Sequence, residues 1–328
     1  MEILKDLVKK ILLKGKYMRL TDEYISDCIV TIYNYLFDRY PDEKNLVIYQ
    51  QRIRNLESNG FKEILVEIFD SDEFKKNFIK IDSDEFKKNI IRKSDDAEFI
   101  EAAKLTSTEI QKKYSRTNVI NTILSYKGNK TNYLEIGVRN LDDNFNLINA
   151  ETKYCVDPGI ETQLNNADFK LESDDFFKKL SSGEILSSDY KFDVIFIDGL
   201  HLASQVERDI DNALNFLKED GFIILHDCNP PTEWHARENF EFKNSPADLC
   251  WNGTVWKAFL KKRFDDSLKC CCIDTDWGVG IISKNLNIGS SIKINNPFFE
   301  YKEFEKKRNY YLNLISFEEF ETILKNNF

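Results

Sequence analysis

Residues 192–231, FDVIFIDGLHLASQVERDIDNALNFLKEDGFIILHDCNPP, constrain the fold more than any other segment. Two wholly apolar runs, 194–197 and 222–225, each end at a turn carrying an acid, and an amphipathic helical stretch separates them. Strands that are apolar on both faces belong inside a parallel sheet covered on both sides, and a parallel pair needs a crossover of this length. Similar short runs at 133–136 and 154–156 extend the pattern toward the N-terminus, and 268–274 with 278–283 reads as a hairpin closing the sheet. The expectation is an α/β, Rossmann-like sheet over 128–328.

Residues 1–127 have a different texture. Positions 61–127 contain neither glycine nor proline, and apolar residues recur at helical spacing. Helices are expected at 4–13, 21–37, 42–56 and 61–69 and then on to about 125, giving an all-α N-terminal domain. The octapeptide DSDEFKKN occurs at 70–77 and again at 82–89. Each copy offers a cap, an acidic first turn and a following Lys pair, so a local duplication of a helix start accounts for it. The segment TIYNYLFDRYPDEKNL, with its R-x-P-D turn, and the later S-x-E-F resemble a helical domain found in bacterial surface-layer and glycan-related proteins.

Composition narrows the class. A net charge of -10 opposes phosphate neutralisation, so nucleic acid is not expected as a partner. No apolar run approaches the roughly 20 residues of a membrane span, and lysines interrupt the first residues too often for a signal-peptide core, so a cytoplasmic protein is expected. Seven cysteines include no C-x-x-C pair, and Cys270, Cys271 and Cys272 are consecutive; they read as reduced structural thiols.

The strand ends carry the chemistry. The first apolar run leads through Glu135 to Gly137, and about twenty residues later the second ends in Asp157, an acid placed to accept both hydroxyls of a ribose. A dinucleotide requires several glycines for its pyrophosphate, but Leu141 stands where the next would fall. A phosphate-free nucleoside cofactor, S-adenosylmethionine rather than NAD, is therefore favoured.

With I-D-G-L-H at 197–201 and L-H-D at 225–227, the chain resembles class I S-adenosylmethionine-dependent methyltransferases, specifically a bacterial branch with these strand ends. The resemblance covers about 132–284. It implies that Glu135 and Gly137 flank the methionine part, Asp157 holds the ribose, Ser173 and Asp174 line the adenine, and Asp198 closes the pocket near the sulfonium.

Methyl transfer requires an oriented nucleophile and a group to take its proton, and all three histidines, His201, His226 and His235, fall within 35 residues. His201 is the first candidate base and His226 the second, with Asp227 orienting a histidine; His235 reads either as a substrate contact or as a solvent-exposed loop residue. Asp198 and Asp227 end neighbouring strands, so a Mg²⁺ site at this pair is a further expectation. All four tryptophans lie between 234 and 277; Trp256 and Trp277 read as core, and Trp234 and Trp251 as the lid over a small-molecule or glycan acceptor. The aromatic tail from 296 onward reads as one or two helices packing on the protein or on a second subunit. Transfer to a sugar hydroxyl is the leading expectation, transfer to an amino group the nearest rival, and an inactive binding or scaffold protein on the same fold the third.

Overall fold

The computed structural model describes residues 96–160, 166–240, 245–293 and 295–328, together with 43–56 and a few positions between 29 and 71. The chain divides into two compact units, 1–96 and 97–328. In the first, helix α1 (Glu43–Leu56) forms where the sequence predicts it. Arg52 on α1 pairs with Glu67, and the Tyr33 and Tyr49 hydroxyls meet at 3.4 Å. The expected helix at 4–13 and, Ser71 apart, both DSDEFKKN copies lie outside the described residues.

The second unit opens with α2 (Ala97–Ile110) and α3 (Arg116–Lys127). The sequence assigns both to the helical domain, with a boundary at 127/128, whereas the compact units part at 96/97. The physical reason lies in α3, whose Val119, Ile120, Ile123 and Leu124 pack in one core with strand residues Val194, Phe196, Phe222 and Ile224.

The sheet comprises β1 (Asn132–Ile136), β2 (Thr152–Val156), β3 (Phe192–Ile197), β4 (Leu217–Leu225), β5 (Lys269–Ile273), β6 (Val279–Ser283) and the two-residue β7 (Leu314–Ile315), in the order β2-β1-β3-β4-β6-β5-β7. The first four run parallel, and β6 returns antiparallel to both β4 and β5, which is the expected closing hairpin. Helices α4 (Ser173–Ser182), α5 (Ala203–Phe216) and α6 (Val255–Arg263) supply the core on one face of the sheet; α3 and α9 (Phe317–Asn327) supply it on the other. Strand alternation divides the consecutive cysteines between these cores: Cys270 and Cys272 join the first, Cys271 the second. All six cysteines among the described residues are free.

The sequence differs from the structure at two elements. The Glu-Asp-Gly stretch at 219–221 reads as a turn, yet β4 runs extended from Leu217, with a register shift against β3 that leaves Glu219 and Asp220 at the surface. The tail contains α7 (Tyr301–Lys306) and α8 (Arg308–Leu312) before β7, because Asn313 takes a left-handed conformation that ends α8 and adds an edge strand beside β5.

Candidate active site

Every parallel strand delivers its C-terminal residue to the same edge, which is where open α/β sheets receive ligands. At the end of β1, Gly137 has φ +89°, and a Cβ there would lie 2.3 Å from the Asp198 carbonyl oxygen, so only glycine lets the loop after β1 pass the end of β3. Asp157 follows β2. Its Oδ2 accepts the Val138 amide at 2.8 Å and its Oδ1 the Gly159 amide at 2.6 Å, which fixes the carboxylate beside the Gly137 turn. A carboxylate oriented by backbone amides beside a tight glycine turn at the sheet's carboxyl edge fits a nucleoside cofactor.

Glu135 is almost wholly buried on the α3 side of β1. It accepts hydrogen bonds from the Tyr133 hydroxyl at 2.6 Å and the Asn144 amide at 3.0 Å, and burial pushes its pKa up to about 7. Ser173 and Asp174 open α4, and their bonds run to α5: Ser173 donates to Asp209 and accepts from Gln205, and Asp174 pairs with Arg208.

Beyond β3 and β4 the charged groups converge. The His201 Nε2 lies 3.3 Å from Asp198 Oδ1, and its Nδ1 donates to the Trp251 carbonyl at 3.0 Å and lies 3.4 Å from Asp227 Oδ2. The His226 Nδ1 sits between Asp198 Oδ1 at 3.2 Å and Asp227 Oδ2 at 3.1 Å, while its Nε2 faces Asp276 Oδ1 at 3.3 Å. Burial opposes a charge on either imidazole, but the carboxylates outweigh it: Asp227 and Asp198 raise His201 to about 9, and Asp198 and Asp227 raise His226 well above its ordinary value. Burial likewise opposes the Asp198 charge, yet His226 and His201 hold that carboxyl well below the usual range.

The loop after β4 is built to hold these groups. Asp227 takes φ 62°, a conformation rare for a residue with a side chain, and Asn252 fixes it by donating to Oδ1 at 2.8 Å. The Cys228 and Asn229 amides pair with the Gly278 and Trp277 carbonyls, so the tip of the β5–β6 hairpin grips the loop. Its Asp276 and Trp277 also have positive φ, at 44° and 65°.

One ligand atom each from Asp198, His201 and Asp227 lies within 4.8 Å of the others. Two carboxylates and an imidazole whose Nδ1–H is committed to a carbonyl form a donor set that fits a divalent cation. His201 lies beside the expected pair of Asp198 and Asp227, within reach of the same ion. The sequence reading missed Asp276 and Arg116. Arg116 opens α3, its amide and Nη1 both donate to Asp276 Oδ2, and Nε lies 3.8 Å from Asp198 Oδ2. Asp276 reads only as turn chemistry in D-T-D-W-G, and no local signal relates it to a residue 160 positions away.

His235 is fully buried. Its two ring nitrogens meet Thr106 at 2.9 Å and Thr232 at 2.8 Å, and burial, followed by Arg237 and Arg308, lowers its pKa to about 3. It is a neutral structural residue tying α2 to the loop after β4, which excludes the solvent-exposed reading. Trp256 is buried against Phe304, with ring centroids 4.5 Å apart. Trp251 stacks on His201 at 5.2 Å and 25°, with exposed Phe240 tilted against it at 5.3 Å.

Residues 103–228 match the family model of a methyltransferase domain. No curated protein matches the chain. Among solved structures, an O-methyltransferase from Bacillus cereus in complex with SAH is similar at 15% identity over 58% of this chain and 91% of its own, with a TM-score of 0.36. The MycE methyltransferase of the mycinamycin biosynthetic pathway, in complex with Mg, SAH and mycinamycin VI, is similar at 14% identity over 63% of this chain and 59% of its own, also with a TM-score of 0.36. A protein from Corynebacterium glutamicum is similar at 12% identity over 66% of this chain and all of its own, with a TM-score of 0.35. The match over 103–228 spans the four parallel strands β1 to β4, so this segment is similar to a methyltransferase domain.

Proposed function

We propose that the domain methylates a hydroxyl oxygen of a small polyhydroxylated acceptor, a sugar or glycan precursor, at the edge formed by Asp198, His201 and Asp227. The observation that carries this reading is the convergence of those three donors beside the Gly137 turn. Asp198 and Asp227 would hold a divalent cation such as Mg²⁺, which supplies Lewis acidity toward oxygen ligands and the positive charge that protons otherwise provide at this cluster, so that His201 is neutral with its Nε2 lone pair free. Hard-cation chemistry of this kind favours a hydroxyl over an amine as the methyl acceptor.

S-adenosylmethionine supplies an electrophilic methyl group on a sulfonium. The chain contributes position and proton handling. Gly137 and Asp157 hold the nucleoside end, with Ser173 and Asp174 assigned to the adenine and Glu135 beneath the methionine end. The acceptor oxygen forms its bond to the methyl carbon as the carbon–sulfur bond breaks, and the hydroxyl proton passes to an imidazole. His201 is the first candidate for that proton, because the Trp251 carbonyl fixes Nδ1–H and leaves Nε2 as the accepting nitrogen. His226 is the second, with Asp227 orienting it at 3.1 Å. Trp251 and Phe240 offer ring faces for the C–H side of a sugar.

Calorimetric titration of S-adenosylhomocysteine into the purified chain with and without Mg²⁺, followed by transfer assays on nucleotide sugars, free glycans and amines, tests the reading. Micromolar cofactor binding that Asp157→Ala weakens, with Mg²⁺-dependent methylation of a sugar hydroxyl, is the expected result. Transfer to amines alone, indifferent to Mg²⁺, would overturn the acceptor assignment.

A further inference from the structure

Residues Trp251, Asn252, Gly253 and Thr254 join the loop after β3 to the loop after β4 through main-chain bonds. The Asn252 and Gly253 amides both donate to the His235 carbonyl, at 3.0 and 3.1 Å, and the Thr254 amide donates to the His201 carbonyl at 2.8 Å. Thr254 Oγ1 accepts the Ala203 amide at 2.7 Å, which ties the same segment to the start of α5. Gly253 has φ 60°, and a Cβ there would lie 2.2 Å from the His201 carbonyl oxygen, so only glycine lets the chain pass. The backbone therefore fixes where the Asn252 side chain begins.

That side chain is wholly buried, and its two ends are bonded unequally. Nδ2 donates to Asp227 Oδ1 at 2.8 Å and to the Trp277 carbonyl at 3.4 Å, whereas Oδ1 is buried with no hydrogen-bond partner. Two acceptors on one side fix which end of the carboxamide is the donor. A buried acceptor without a donor is unfavourable, and an apolar residue of the same shape would avoid it, so what this carboxamide adds at the site is its donor. Asp227 has one oxygen taken by that donor, and its Oδ2 faces His226 Nδ1 at 3.1 Å and His201 Nδ1 at 3.4 Å. A carboxylate with neither oxygen held turns about its last torsion and offers either one. We infer that Asn252 is the positioning residue that makes Asp227 a one-oxygen donor, holding Oδ1 back so that Oδ2 faces the candidate cation site. Trp251, one residue earlier, holds His201 Nδ1 by its carbonyl, so a single segment sets both the acid and the imidazole.

The inference rests on the proposed cation at Asp198 and Asp227, and direct metal binding separates the two. Mn²⁺, a probe that takes the same oxygen ligands as Mg²⁺ and is read as the free ion by electron paramagnetic resonance, is titrated into the full chain, and S-adenosylhomocysteine is titrated in parallel by calorimetry. The wild-type chain is expected to bind Mn²⁺ and to release it to excess Mg²⁺. In Asn252→Leu, which keeps the shape and removes the donor, Mn²⁺ affinity falls by about 10- to 100-fold, the usual range for a group that orients a metal ligand, while S-adenosylhomocysteine affinity holds. Asn252→Ser, whose hydroxyl is a shorter donor, regains part of the Mn²⁺ affinity. Unchanged Mn²⁺ affinity in both variants overturns the inference and leaves the cation reading standing. Loss of Mn²⁺ and S-adenosylhomocysteine binding together, with a lowered melting temperature in both variants, is the signature of a merely structural residue and overturns it as well. A wild-type chain that binds no Mn²⁺ removes the cation and the inference together.

Discussion

At Glu135 a single carboxyl is held by Tyr133 and Asn144 in a place that water hardly reaches. Its folded pKa of about 7 stands above the ordinary 4.5, so the fold binds this proton more tightly than the unfolded chain does. Stability is then highest below the unfolded value and falls as pH rises from 4.5 through 7. The shift corresponds to about 3 kcal/mol. Denaturant titrations from pH 5 to 8 should show that loss in the wild-type chain and its absence in Glu135→Gln, which mimics the protonated acid. His235 has the opposite sign. Its folded pKa of about 3 lies below the ordinary 6.5, so its contribution is complete above 6.5 and is lost as pH falls toward 3. His235→Gln, which can still reach a threonine hydroxyl, should flatten the acid limb of the stability curve by on the order of 4 kcal/mol. An unchanged acid limb would mean that other groups dominate it.

Among elements, the loops rather than the strands hold the site under strain. Gly137 passes Asp198 so closely that a methyl group on its Cα meets backbone on the far side, and its φ of +89° is unfavourable for any side chain. Gly137→Ala is expected to lower stability by about 3 kcal/mol and to weaken S-adenosylhomocysteine binding at least tenfold. Thermal melts and calorimetry read the two effects separately, and full-strength binding would place the cofactor elsewhere. The acids that end the strands were legible in the sequence, since an apolar run buried on both faces stops where the chain meets water, as at Asp157, Asp198 and the His226-Asp227 pair. The positive φ of Asp227 was not legible, because nothing in L-H-D-C-N distinguishes a left-handed turn from an extended one. It is imposed by Asn252 and by the hairpin tip paired against the loop.

For the whole molecule, residues 97–328 contain a complete two-faced core, with α3 supplying four buried side chains to one face. A chain beginning at residue 97 should therefore unfold cooperatively and bind S-adenosylhomocysteine, whereas one beginning at 128 should expose the Val194, Phe196 and Phe222 face and aggregate. Size-exclusion chromatography and melting curves of the two would decide between the boundaries. The sequence by itself determined the parallel sheet, its closing hairpin and the acids at its edge, because burial on both faces writes itself as apolar period and length along one stretch of chain. Only the tertiary structure decided that Arg116, Asp198, His226 and Asp276 share one cluster, that His235 is buried structural support, and that α3 packs against the sheet. These are contacts between segments up to 160 residues apart, and their partners are selected by packing and charge in space, for which local sequence carries no period.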